Sequence, residues 1–101
     1  MKFIVGHKWD KGAVNIGRPT PLGNPFVMRT EQDRDAVCDK YTVWLRQQID
    51  QQNPDVLGAL RALWVKAKAE GTVVLGCYCA PKRCHGDAIK AFLDSYIKDQ
   101  S

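Results

Sequence analysis

The residues best suited to chemistry lie near the end of the chain, in the segment Cys77 to Asp87, which reads CYCAPKRCHGD. We expect a strand to end there and a helix to begin a few residues later. Unpaired backbone amides at the start of a helix carry a partial positive charge, which stabilises an anion or a thiolate. The sequence therefore predicts a site in which Cys84 is a nucleophile of lowered pKa, while His85 and Asp87 supply a base and a carboxylate.

Two basic residues, Lys82 and Arg83, stand directly before Cys84. Their positive charges are expected to lower the pKa of the thiol further and to attract a phosphate. Ligands of open α/β sheets usually bind at the carboxyl ends of the strands. We therefore predict that Lys82, Arg83 and the nearby Cys79 contact a ligand.

Two other interpretations of the cysteines stay open. Cys77 and Cys79 are two apart on a strand and project from the same face, with Cys84 close by, so the three could bind zinc. The spacing disfavours zinc because structural sites usually contain C-x2-C pairs, and the adjacent Cys84 and His85 are not expected to reach one tetrahedral ion together. Alternatively, the cysteines are small buried side chains without a ligand. The prediction is a site without metal, with zinc as the alternative.

A second segment, Gly17 to Phe26, reads GRPTPLGNPF and predicts a rigid loop. Its prolines fix the course of the backbone, and Gly23 allows a positive φ. Arg18 and Asn24 can then be presented to a ligand at little entropic cost. The alternative is a stiff connection in which Asn24 caps a turn and Phe26 packs into the core.

The elements that position these segments follow from hydrophobic spacing. Alternation on either side of a polar break at 10–12 predicts an N-terminal β-hairpin over 2–18. Apolar residues at helical spacing predict a helix over about 31–51 and a second one between Asn53 and Gly71. The run TVVLGCYC at 72–79 predicts a central strand, and a closing helix contains Ala88 to Ile97. The predicted fold is a small α/β sheet of order β-β-α-α-β-α, formed by the hairpin and the central strand and covered by three helices.

Composition excludes several classes of protein. At 101 residues with 45 % hydrophobic residues, the chain can form one domain, 1–101, around one core. No apolar stretch resembles a signal peptide or a membrane span, so we expect a cytoplasmic protein with reduced cysteines and no membrane partner. The net charge of +4 permits a phosphate-bearing partner without requiring one.

Three stretches together resemble a known family: NIGRPTPLGNPF, YTVWL at 41–45 and LGCYCAPKRCHGD. The chain is similar to DUF4326, a domain of unknown function seen mainly in bacteriophage and bacterial proteins. A phage origin would place the protein in the host cytoplasm. The resemblance spans most of the chain but implies no activity. The positions that it marks as characteristic are Arg18, Gly23, Asn24 and Pro25 in the loop, and Cys77, Cys79, Pro81, Cys84, His85, Gly86 and Asp87 in the turn.

Three functions are compatible with these features, and the sequence does not decide whether the protein is an enzyme. The first is a domain that binds or acts on a nucleotide or another phosphate-bearing small molecule at the two segments. The second is a non-enzymatic protein that binds a host protein or nucleic acid through its basic surface or Trp9. The third is a module stabilised by zinc.

Overall fold

The computed structural model describes residues 1–18, 20–77 and 82–100, the last three of these by their backbone alone. Cys79 and Pro81, which the sequence places at the site, lie outside the described residues. So do the last two residues of the strand predicted over 72–79.

Within the described residues the order β-β-α-α-β-α is confirmed. A single 3-10 turn at Glu31–Asp33 precedes the first helix. The strands are β1 (Lys2–His7), β2 (Val14–Asn15) and β3 (Thr72–Cys77), and the helices are α1 (Arg34–Asp50), α2 (Pro54–Glu70) and α3 (His85–Gln100).

The three strands form one parallel sheet in the order β1-β3-β2. Strand β3 is central, as predicted. It pairs with β1 from Lys2 opposite Thr72 to His7 opposite Cys77, and with β2 where Val14 lies opposite Leu75. The predicted N-terminal hairpin is therefore wrong, because β1 and β2 lie on opposite sides of β3 and do not pair with each other.

The connection between β1 and β2 explains why these two strands do not form a hairpin. It contains a tight turn, in which the backbone N–H of Ala13 donates to the carbonyl of Asp10 (3.0 Å), but the turn passes over the end of β3. The backbone N–H of Lys8 donates to the carbonyl of Cys77 (3.1 Å) on the way. The crossing is close: a Cβ on Gly76 would lie 3.0 Å from the Lys8 Cα. The alternation of apolar and polar residues thus predicted both strands correctly, but it does not indicate which strand pairs with which.

The helices cover one face of the sheet. Phe3 on β1 and Leu75 on β3 are each 0 % exposed, whereas Ile4, which points to the other face, is 38 % exposed. One buried cluster joins the covered face to all three helices, which contribute Tyr41, Leu45, Leu60, Leu63, Ile89 and Leu93 among others. The described chain therefore forms two layers around one core.

The ends of α2 follow the sequence signals closely. Its N-cap is Asn53, whose side chain accepts a hydrogen bond from the Asp55 N–H (3.1 Å), and Pro54 occupies the first turn. The helix ends before Gly71, which has φ +85°. None of the helices, over the residues described, is long and apolar enough to cross a membrane.

Candidate functional site

Both predicted segments meet at a cleft of about 450 Å³ at the carboxyl end of the sheet. The loop and the turn each contribute part of its lining, and α1 closes a third side. The lining includes Lys8, Asn15, Gly17, Arg18, Asn24, Phe26, Arg34, Val37, Cys38, Cys77, Arg83, Cys84 and His85. The structure thus brings together most of the side chains that the sequence singles out, although they lie far apart along the chain.

His85 joins the two segments. It is 9 % exposed, and its Nε2 lies 2.8 Å from the carbonyl oxygen of Ile16, which directly precedes the loop. A carbonyl only accepts hydrogen bonds, so Nε2 carries the proton and, in the neutral ring, Nδ1 keeps its lone pair. Tyr41 holds the ring edge-on at 5.0 Å and donates its own hydroxyl to the carbonyl of Leu22 (2.6 Å). The orientation of the imidazole is therefore fixed on two sides.

Cys84, the predicted nucleophile, is buried at the start of α3. The residue is 4 % exposed, and a hydrogen bond to the Cys77 side chain, together with burial, raises the pKa of the Cys84 thiol. The prediction assumed an exposed sulfur at an open helix end. In the structure the sulfur lies inward against a second thiol, where the neutral form is favoured.

The basic residues before Cys84 face acidic partners on the other side of the turn. Lys82 lies 3.4 Å from Glu31 and does not line the cleft, whereas Arg83 lines it while pairing with Asp35 (3.0 Å) and Asp39 (2.8 Å). These pairs tie the turn to α1 and its preceding 3-10 turn. Because these pairs are exposed to solvent, each contributes little to the stability of the fold.

Asp87, the predicted catalytic carboxylate, makes hydrogen bonds at the start of α3. Its carboxylate accepts a hydrogen bond from the backbone N–H of Cys84 (3.2 Å), and its own N–H donates to the Cys84 carbonyl (3.1 Å). This is the pattern of a helix cap. Asp87 thereby pairs with one of the backbone amides that were predicted to bind an anionic ligand. It is not among the residues that line the cleft with His85.

The loop residues line the cleft, and of the alternative interpretation only the turn cap by Asn24 is found. Arg18 is exposed and lines the cleft, as a ligand-binding residue would. Asn24 also lines it, while its side-chain oxygen accepts a hydrogen bond from the Phe26 N–H (2.8 Å), which is the turn cap of the alternative interpretation. Phe26 lines the cleft, and the loop residue buried in the core is Leu22, at 3 % exposure.

Gly23 is required for a different reason from the one predicted. Positive φ occurs at Gly12 and Gly71 among the described glycines, and Gly23 does not share it. A Cβ on Gly23 would instead lie 2.8 Å from the backbone nitrogen and 2.9 Å from the Cα of Arg18. The absence of a side chain lets the two ends of the loop pack together.

Gly23→Ala should therefore displace Arg18 and destabilise the protein by about 1 to 3 kcal/mol, as overpacking typically does. Urea unfolding measures the cost. Gly58→Ala is the control, because a Cβ there meets nothing within 4 Å and the position is helical. Equal stability of the Gly23 variant and the wild type would contradict the close packing of the loop.

Glu31 makes the stability of the protein sensitive to acid. Its hydrogen bond with the Arg34 guanidinium, aided by Lys82, lowers the pKa of the carboxyl from 4.5 to about 2. A lowered pKa in the folded state contributes stability that is present above pH 4.5 and is lost as the pH falls towards 2. Glu31→Gln should thus lower the Tm at neutral pH, and the difference from the wild type should shrink over that acid range. Thermal melts of both proteins across pH check this; a constant difference would contradict it.

Three buried side chains at the floor of the cleft have donor atoms that suit a metal. The ligand atoms of Cys77, Cys84 and His85 all lie within 4.8 Å of one another. Contrary to the expectation from spacing, the adjacent Cys84 and His85 therefore do approach a common point. The third cysteine of the sequence-based alternative, Cys79, lies outside the described residues.

Other segments, which were not predicted from the sequence, also contribute to the cleft. Lys8 reaches it from the end of β1, and Arg34 and Cys38 from the first turns of α1. The spacing of Arg34 and Cys38 by four residues places them on one face of that helix. This spacing was the available signal, but nothing local shows that this face meets the cysteine turn.

A match to the family described as a domain of unknown function (DUF4326) covers residues 5–95, and so includes both segments of the cleft. The chain belongs to this family. The predicted resemblance is thereby confirmed, and the description of the DUF4326 domain names no activity. No curated protein and no solved structure matches the chain.

Proposed function

We propose that the cleft binds a nucleotide or another phosphate-bearing small molecule. The observation that carries the proposal is the meeting of two separately encoded polar segments at the carboxyl end of a parallel sheet, beside basic side chains. This is the usual place for ligands in open α/β sheets. A cleft of about 450 Å³ is also within the size range of small-molecule sites.

The charges along the cleft favour an anion. Four basic residues line it, namely Lys8, Arg18, Arg34 and Arg83. Arg83 already pairs with carboxylates, but such exposed pairs are weak enough for a phosphate to compete with them. Arg34 is held more firmly, because its side chain is only 13 % exposed and makes two hydrogen bonds to Glu31. Among the residues that the structure describes, Arg18 has no acidic partner. Arg18 is therefore the side chain best placed to bind a phosphate.

Part of the lining is apolar. It contains Phe26, Val27, Met28 and Val37, of which Val27 is 63 % exposed. A lining with both basic and apolar side chains fits a ligand that combines a phosphate with a flat ring. The phosphate can contact the basic side chains and the ring can pack on the apolar ones. A nucleotide has this combination, whereas inorganic phosphate has only half of it.

Calorimetric titration with AMP, adenosine and inorganic phosphate tests the proposal. AMP should bind more tightly than either of the other two, and its affinity should fall as salt is raised, because the phosphate contact is electrostatic. Native mass spectrometry of the freshly purified protein should show a retained ligand of nucleotide size. If no member of the series binds and no ligand is retained, or if adenosine binds as well as AMP, the proposal fails.

A second candidate function is supported by Trp9. This residue is 75 % exposed on the connection after β1, and the Lys8 ammonium lies 4.6 Å from the centre of its ring. An exposed aromatic ring beside a cation suits stacking on a base of single-stranded nucleic acid, or contact with a protein partner. Quenching of Trp9 fluorescence by a single-stranded oligonucleotide, with steep salt dependence, would favour nucleic acid. Unchanged fluorescence would contradict the binding of single-stranded nucleic acid.

A further inference from the structure

The thiols at the floor of the cleft are held by elements that the sheet fixes firmly. Cys77 ends β3, where it lies opposite His7 in the parallel register. His85 is the first residue of α3, and Cys84 directly precedes it. The exposures of Cys77, Cys84 and His85 are 1 %, 4 % and 9 %. With all donor atoms within 4.8 Å of one another, the arrangement is a compact sulfur and nitrogen cluster rather than three unrelated buried residues.

The hydrogen bond of His85 orients the ring as metal sites require. Histidines that bind a metal almost always donate their other ring N–H to a carbonyl or a carboxylate. In this protein Nε2 donates to the Ile16 carbonyl at 2.8 Å, which leaves Nδ1 as the donor atom for a metal. The edge-on contact with Tyr41 holds that orientation. This bond is an observation independent of the clustering of the thiols.

We propose that Cys77, Cys84 and His85 bind one zinc ion at the floor of the cleft. Two thiolates balance the charge of Zn²⁺, so the buried site is neutral overall. Soft sulfur ligands also select zinc over magnesium or calcium. Zinc lies about 2.3 Å from sulfur and about 2.0 Å from nitrogen, so binding requires the three donor atoms to draw together by roughly 1 Å.

All three residues line the cleft, and a water molecule there can supply the fourth ligand of a tetrahedral ion. Zinc binding at this site does not depend on whether the cleft also accepts a phosphate. The test therefore uses metal ions alone.

The experiment measures zinc content and the absorption spectrum of the cobalt-loaded protein. The wild type should retain about one equivalent of zinc per chain. With Co²⁺ as the probe, it should show a thiolate-to-metal charge-transfer band and the intense visible bands of tetrahedral coordination. Cys84→Ser should lose roughly half of the charge-transfer band, because one of two thiolates is removed. Cys84→Ser and His85→Gln should each weaken zinc binding by about a hundredfold or more.

Cys38→Ser is the matched control. Cys38 is also a buried cysteine, at 6 % exposure, and lines the same cleft, but it is not one of the three clustered residues. This variant should keep both the zinc and the cobalt spectrum. The proposal is overturned if wild-type protein loaded with Co²⁺ shows no thiolate band, or if Cys38→Ser loses metal as Cys84→Ser does. The wild-type spectrum decides even if a variant fails to fold.

Discussion

Replacing Arg18 by alanine is expected to weaken the binding of AMP by about tenfold to a hundredfold, which is the usual contribution of a charged hydrogen bond. The reason is its position: Arg18 is exposed, lines the cleft and has no acidic partner among the described residues. Its guanidinium can therefore bind a phosphate without first giving up another contact. Calorimetric titration of the wild type and the variant measures the change.

Arg61→Ala is the control for this prediction. Arg61 is an exposed arginine on α2, which lines a different surface groove with Trp64 and Tyr96, so its loss changes the net charge equally without touching the cleft. If both variants bind AMP equally well, the basic surface acts only through its overall charge. An Arg18 variant with wild-type affinity would remove Arg18 from the proposed site.

Phe3→Ala should lower the free energy of unfolding by about 3 to 5 kcal/mol, because it leaves a cavity in the core. Phe3 is 0 % exposed and belongs to the single buried cluster beneath the helices. A loss of this size is a large part of the stability of a small domain. Urea denaturation at constant pH measures it.

The neighbouring Ile4 provides the control within the same strand. Ile4 points to the other face of the sheet and is 38 % exposed, so Ile4→Ala should cost no more than about 1.5 kcal/mol. Similar costs for both variants would show that both faces of the sheet are covered, against the two-layer fold. Phe3→Leu, with a smaller expected loss, replaces Phe3→Ala if the latter does not fold.

Most of the fold could be predicted from local sequence signals. Asn53, Pro54 and Gly71 each act through contacts with near neighbours, which is why the ends of α2 could be read directly. The loop Gly17 to Phe26 and the cysteine turn could likewise be recognised from their residue types. The central position of β3 could also be predicted, because continuous apolar runs are typical of strands inside a parallel sheet.

Features that depend on distant residues could not be predicted. The pairing of β1 with β3 joins residues from opposite ends of the chain, and alternation of side chains is the same for parallel and antiparallel neighbours. The raised pKa of Cys84 arises from the hydrogen bond with Cys77 across the turn and from burial, neither of which can be inferred from residue spacing. Similarly, the carboxylates that form ion pairs with Lys82 and Arg83 lie in α1 and in the 3-10 turn that precedes it.

The central place of β3 also determines when the sheet can form. Strands β1 and β2 are synthesised first, yet both pair only with β3 in the described fold, and β3 begins at Thr72. A nascent chain that ends before Thr72 therefore contains the sequences of α1 and α2 but not the strand that completes the sheet. Contacts between residues so far apart in sequence slow folding, because a long loop must close before the pairing is gained. On the ribosome, β1 therefore has to remain unpaired until β3 emerges.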